Sequence, residues 1–154
     1  METAVSMSKI AAKQSPHFAM VGGDLPYAQG TPACYRIWDK WLANWEQYMV
    51  TPSGHLIPGL FAMGNHEAGF DLTKKDAVFY LPYFAQETDT STDAIQRSSY
   101  SAHAVTDDTV IFVLDSNHVS SSGGAQLQWL EEKMETYCNY SNKMALFHVF
   151  LIEK

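Results

Sequence analysis

Residues 17–27 read HFAMVGGDLPY. An apolar run closes on two glycines, then a carboxylate, and three places later a tyrosine. A short apolar run bounded by glycine predicts a buried strand ending near Gly22. Asp24 then lies just past the carboxyl end of that strand. Tyr27 falls in the Gly/Pro-rich loop LPYAQGTPAC (25–34) that follows.

Working outward, the pattern repeats. SMSKIAAK (6–13) predicts the end of a helix. YRIWDKWLANWEQYM (35–49) places Trp38, Trp41, Leu42, Trp45, Tyr48 and Met49 on one helical stripe, a core-packing pattern. HLIPGLFAMGNHE (55–67) is a second apolar run, with Pro58 marking an edge or an irregular start. TVIFVLDSN (109–117) predicts a buried strand and KMALFHVF (143–150) a further one. Between them SSSGG is a turn, and AQLQWLEEKMETY (125–137) sets Leu127, Leu130, Met134 and Tyr137 on one helical face. Residues 68–104 are expected to hold little regular structure, with QETDTSTDAIQRSS (86–99) as a surface loop. Strands alternating with helices imply βαβ units and a largely parallel sheet, an α/β class, with no internal repeat.

Each apolar run ends in polar residues. They are Asp24 with Tyr27, Asn65 with His66 and Glu67, Asp115 with Asn117 and His118, and His148. Taken singly, Asp24 is a turn or cap residue, Asn65 a turn, Tyr27 a packed ring and His148 a hydrogen-bonded core residue. In open α/β sheets, however, the carboxyl ends of parallel strands share one edge, where ligands bind. Carboxylate, amide oxygen, phenol and imidazole together suit Mn, Fe or Zn and lack the thiolates of a structural zinc site. Asp24 has two oxygens and can bridge two cations. Two metals ~3.5–4 Å apart clamp a phosphate and lower the pKa of a bound water.

Gly23-Asp24-Leu25-Pro26-Tyr27, Gly64-Asn65-His66-Glu67 and Ala145-Leu146-Phe147-His148, in this order, resemble three motif blocks of the calcineurin-like metallophosphoesterases, in particular the purple acid phosphatase branch. They match G-D-x-x-Y, G-N-H-E and V-x-x-H, with alanine in place of the usual valine. The resemblance spans nearly the whole chain. It implies a partial metallophosphoesterase fold, a β-sandwich flanked by helices in αββα layers, over residues 1–154. It also implies hydrolysis of small-molecule phosphate monoesters at a dinuclear centre, of the acid phosphatase kind. The cofactors would be two metal ions, Fe(III) plus Zn, Mn or Fe(II). Asp24 would bridge them, Tyr27 would bind the first as phenolate, and Asn65 and His148 would bind the second. His66 would be the catalytic group beside the phosphate, and Glu67 would orient its neighbours.

No D-x-G block precedes Asp24 and no G-H-x-H block follows His148. The expectation is therefore an internal fragment of a catalytic domain, truncated at both ends and weak or inactive by itself. The alternative is an inactive remnant serving as a binding or scaffold protein. A cyclic-nucleotide esterase of the same superfamily is disfavoured by Tyr27, which that branch usually lacks.

Composition agrees with a globular chain and excludes some partners. Of the 154 residues, 46% are hydrophobic and 18% charged, with net charge −7. A pI near 5.2 argues against a nucleic-acid surface. An anionic substrate is still compatible with that charge if a cation supplies the local positive field. No apolar run approaches the ~20 residues of a membrane span. The first residues lack the apolar core of a signal peptide, and the sequence leaves localisation and oligomeric state open. Cys34 and Cys138 are expected to be free thiols.

Overall fold

A computed structural model gives the structure of the chain and describes residues 2–69, 71–75, 77–84, 93 and 96–149. Helix α1 (Glu2–Lys13) leads to strand β1 (Ala19–Val21). A 3-10 turn at Pro32–Cys34 opens α2 (Tyr35–Tyr48). Then come β2 (Gly59–Phe61), α3 (Asn65–Ala68), α4 (Tyr80–Tyr83), β3 (Ser101–Ala104), β4 (Thr109–Val113), α5 (Ala125–Thr136) and β5 (Asn142–Leu146). Among the described residues the class is mixed α/β with two small sheets. No described helix is long and apolar enough to cross a membrane, and both cysteines are free.

Strand β1 runs parallel to β2, with Met20 opposite Leu60. In the second sheet β4 is central, parallel to β5 and antiparallel to β3. That antiparallel strand and the short helix α4 are the regular elements that the described part of 68–104 adds to a stretch expected to hold little regular structure. Ser-Ala-His-Ala has weak strand propensity, so tertiary pairing decides the matter. Val110, Ile111 and Phe112 of β4 supply the ladder, and Ser101 and Ala102 are buried against it. The Ser/Thr/Asp-rich stretch expected as a surface loop lies largely outside the described residues.

Only β4 is buried as its apolar run predicts. β1 is half-buried, with Met20 exposed, and β5 is exposed from Asn142 to Ala145. β5 is an edge strand, and its far side has no partner among the described residues.

The main core gathers around α2. Trp38 is buried among Leu25, Ala28, Met63, Tyr80 and Leu81. The α2 stripe continues to Trp41 and Trp45, whose rings stand 5.5 Å apart and both meet Phe61 of β2. Trp45 donates its indole N–H to the Ile57 carbonyl at 3.1 Å. Trp129 of α5 packs instead on the second sheet, against Tyr100 and Phe112. Helix α5 keeps half of the face that its apolar spacing predicts, since Leu130 and Tyr137 pack on the Ala102, Val110 and Phe112 cluster. Leu127 and Met134 are exposed while Gln126 is buried. The Gln126 amide grips the Asp115 backbone in both directions, accepting from N–H at 2.8 Å and donating to C=O at 2.9 Å.

Tyr80 is buried and donates its hydroxyl to the Phe61 carbonyl at 2.6 Å. Tyr80→Phe is expected to cost about 1–2 kcal/mol, the penalty of leaving that carbonyl unpaired. A urea midpoint equal to wild type would refute this. Residues of β2 and β3 also line a shared cavity of about 140 Å³.

Candidate metal centre

The carboxyl ends of β1, β2 and β5 meet. Past β1 the chain turns through Gly22, Gly23 and Asp24. Past β2 it runs through Ala62 and Met63 to Gly64, and past β5 through Phe147 to His148. The Ala62 N–H donates to the Val21 carbonyl at 2.9 Å. His148 Nδ1 donates to the Gly22 carbonyl at 2.6 Å, joining residues 126 apart in sequence.

Glu67 locks two of these turns together. Its carboxylate is buried and accepts three backbone N–H groups: Asp24 at 2.7 Å, Leu25 at 2.7 Å and Gly64 at 2.8 Å. Burial pushes the Glu67 carboxyl above its ordinary pKa, the three N–H donors pull it back, and nearby Asp24 adds to the rise. The turns approach so closely that no side chain fits between them. A Cβ on Gly23, whose φ is +89°, would lie 2.7 Å from Gly64 N and 3.0 Å from His148 Nδ1. The loop that follows is unusual. Asp24, Tyr27 and Gln29 all have φ between 54° and 56°, the left-handed region that non-glycine residues rarely adopt. Leu25 and Ala28, buried in the main core, hold it there.

Asp24 is the centre of the cluster. Its Oδ1 accepts the His66 backbone N–H at 3.2 Å. Its Oδ2 faces His148 Nε2 at 3.4 Å and His66 Nε2 at 3.9 Å. The His148 tautomer follows from its other nitrogen. Nδ1 must carry the proton given to Gly22, which leaves Nε2 as the ring nitrogen turned toward the Asp24 carboxylate oxygen. Two acceptors in opposition need a proton or a cation between them. A backbone carbonyl behind a histidine is also the usual support for a metal-binding imidazole.

Tyr27 is exposed, and its ring lies against that of His66, with centroids 4.0 Å apart. The nearby Asp24 charge holds the Tyr27 phenol above its ordinary range. A multivalent cation at Asp24 would reverse the sign of that field. Asn65 stands at the start of α3, exposed and next to His66. Among the described residues no group of three or more His, Cys, Asp or Glu side chains forms a cage able to hold a metal. The donor set gathered here is Asp24, His148 and Tyr27, with His66 and Asn65 beside them.

The third strand end behaves differently. Asp115 is buried and saturated, accepting the backbone N–H groups of His118, Val119 and Ser120 and the Ser99 hydroxyl at 2.6–3.1 Å. It staples the loop after β4. Asn117, at φ 72°, takes the Ser122 N–H and is exposed. Neither reaches the cluster. His118 does approach it, its ring centroid 5.5 Å from that of His148. Burial pushes His118 below its ordinary pKa and His148 adds to this, against the pull of Asp115 and Asp24. Gln29, whose side-chain amide meets His66 Nδ1, carries no signal in the sequence. A polar residue in an irregular loop has no periodicity to betray it.

The chain matches no family model and none of the curated proteins compared with it.

Proposed function

We propose that this cluster is the core of a metal-dependent phosphoesterase site acting on phosphate monoesters, as the resemblance to purple acid phosphatases implies. The observation that carries the reading is His148 Nε2 at 3.4 Å from Asp24 Oδ2, with His148 Nδ1 held by the Gly22 carbonyl and the Tyr27 ring against that of His66. The donors fit a mixed O/N metal. Asp24 and Tyr27 would hold one cation, and Asp24, Asn65 and His148 the other. Bound there, the metals would supply Lewis acidity toward phosphoryl oxygens and lower the pKa of a bound water.

The chain's own groups do the rest. Glu67 fixes the Asp24 and Gly64 turns, so the Asp24 oxygens need not reorganise when charge develops. His66 carries a ring nitrogen on the Asp24 side, where it can donate to a phosphoryl or leaving-group oxygen. Tyr27 covers one side of that ring. The same reading makes the two sheets, which share a cavity, the layers of a β-sandwich with helices outside it.

The test is metal loading. On adding Fe(III) and Zn(II), the chain is expected to develop a visible phenolate-to-iron band that disappears in Tyr27→Phe. Asp24→Asn is expected to weaken Zn(II) or Mn(II) binding at least tenfold by calorimetry, since even outer partners of metal ligands cost about 10–100-fold. A chain that takes up neither metal ends the proposal. The alternative, a binding protein without turnover, is favoured by the donor count, because one cation would receive only Asp24 and Tyr27 from this chain. Turnover of a chromogenic phosphomonoester is accordingly expected to stay near background. Robust turnover would remove the alternative.

A further inference from the structure

Two imidazoles face Asp24 Oδ2, and the groups behind them are opposite in kind. Behind His148 stands the Gly22 carbonyl, which can only accept. Behind His66 stands the Gln29 side-chain amide, with its nitrogen on Nδ1. An amide nitrogen can only donate, so His66 Nδ1 must be a lone pair and the His66 proton lies on Nε2. Turning the amide over would protonate Nδ1 and leave Nε2 bare. A lone pair on His66 Nε2 would then face the Asp24 carboxylate oxygen at 3.9 Å, acceptor against acceptor. The Asp24 charge therefore selects the amide orientation as well. The Gln29 backbone is pinned, since its carbonyl accepts the Thr31 hydroxyl at 3.3 Å and the Thr31 N–H closes a turn on Ala28 at 3.1 Å.

We propose that Gln29 is a positioning residue: its amide N–H, given to His66 Nδ1, fixes His66 as the Nε2–H tautomer, opposite to His148. The cluster then presents one imidazole lone pair and one imidazole N–H around a single carboxylate. The lone pair suits a cation and the N–H suits an oxyanion such as a phosphoryl oxygen. An amide cannot carry charge, so His66 donates as a neutral imidazole without a carboxylate behind it. The functional meaning rests on the phosphoesterase reading, but the tautomer does not.

Histidine ring ¹⁵N spectra of the metal-free chain, above the ordinary imidazole pKa of about 6.5, test it. In wild type, His66 is expected to show Nε2–H and a scalar coupling across the bond from the Gln29 amide nitrogen to Nδ1. His148 is expected to show Nδ1–H. In Gln29→Glu the new carboxylate can only accept, so His66 should switch to Nδ1–H while His148 stays unchanged. That unchanged His148 signal shows the variant to be folded. A wild-type His66 protonated at Nδ1, or lacking the coupling, overturns the proposal without any variant. So does a folded Gln29→Glu chain whose His66 remains Nε2–H. Metal uptake and turnover do not enter these readouts, so loss of the phosphoesterase reading would leave the tautomer result standing.

Discussion

Gly64→Ala is expected to destabilise the chain by about 3 kcal/mol, at the upper end of the cost of overpacking a rigid site, and to abolish metal uptake. The added Cβ would stand 2.3 Å from Asp24 Oδ1, 2.4 Å from the Asp24 nitrogen and 2.9 Å from Glu67 Oε2. The nitrogen is backbone, already bonded to Glu67, and cannot step aside without opening the lock between the two turns. Gly64 itself has φ −105°, a value open to any residue, so the cost is steric and not conformational. Gly54→Ala is the matching control. It has φ +84° with nothing within 4 Å of a new Cβ. It should cost only about 1–2 kcal/mol of left-handed strain and leave metal binding intact. Urea unfolding and calorimetric metal titration check the pair. A Gly64→Ala chain as stable as wild type would show that the turns are not locked as described.

Removing Glu67 should be the most damaging single truncation. Glu67→Ala leaves the N–H groups of Asp24, Leu25 and Gly64 without their acceptor. At about 1–3 kcal/mol for each unsatisfied donor, less what entering water restores, the loss is roughly 3–5 kcal/mol. Glu67→Gln keeps the shape but turns an NH₂ toward one of the donors, for an expected loss of about 1–3 kcal/mol. The pH dependence separates charge from shape. Burial raises the folded-state pKa of Glu67 above its unfolded value, so the native state binds the proton more tightly. That contribution to stability is full below the unfolded pKa and is lost as pH rises through the folded one. In urea melts of the metal-free chain, stability should fall with pH across that window, and Glu67→Gln should flatten the slope. A variant with the wild-type slope would assign the dependence to another group.

The convergence of Asp24, His66 and His148 was legible because strand periodicity placed each just past an apolar run, and chain order then put the ends on one edge. Asp115 met the same criterion, yet it serves its own loop. Periodicity locates a strand end but does not say whether the side chain there turns to the shared edge or back onto backbone N–H groups. Strand β3 was illegible because Ser101 to Ala104 owes its conformation to β4. The burial of Gln126 on α5 was illegible because it depends on bonding to Asp115, and a glutamine adds nothing to an apolar stripe. Gln29 on the His66 ring and the clamp of Glu67 on the Asp24 and Leu25 N–H groups are likewise contacts between residues distant in sequence.

The unequal placing of the tryptophans has an optical consequence. Trp38, Trp41 and Trp45 pack beside the first sheet, and Trp129 alone lies on the second. Intrinsic emission is thus weighted toward the first sheet and its helix α2. With phenylalanine at 129, fluorescence would follow the melting of that region alone, with no external label.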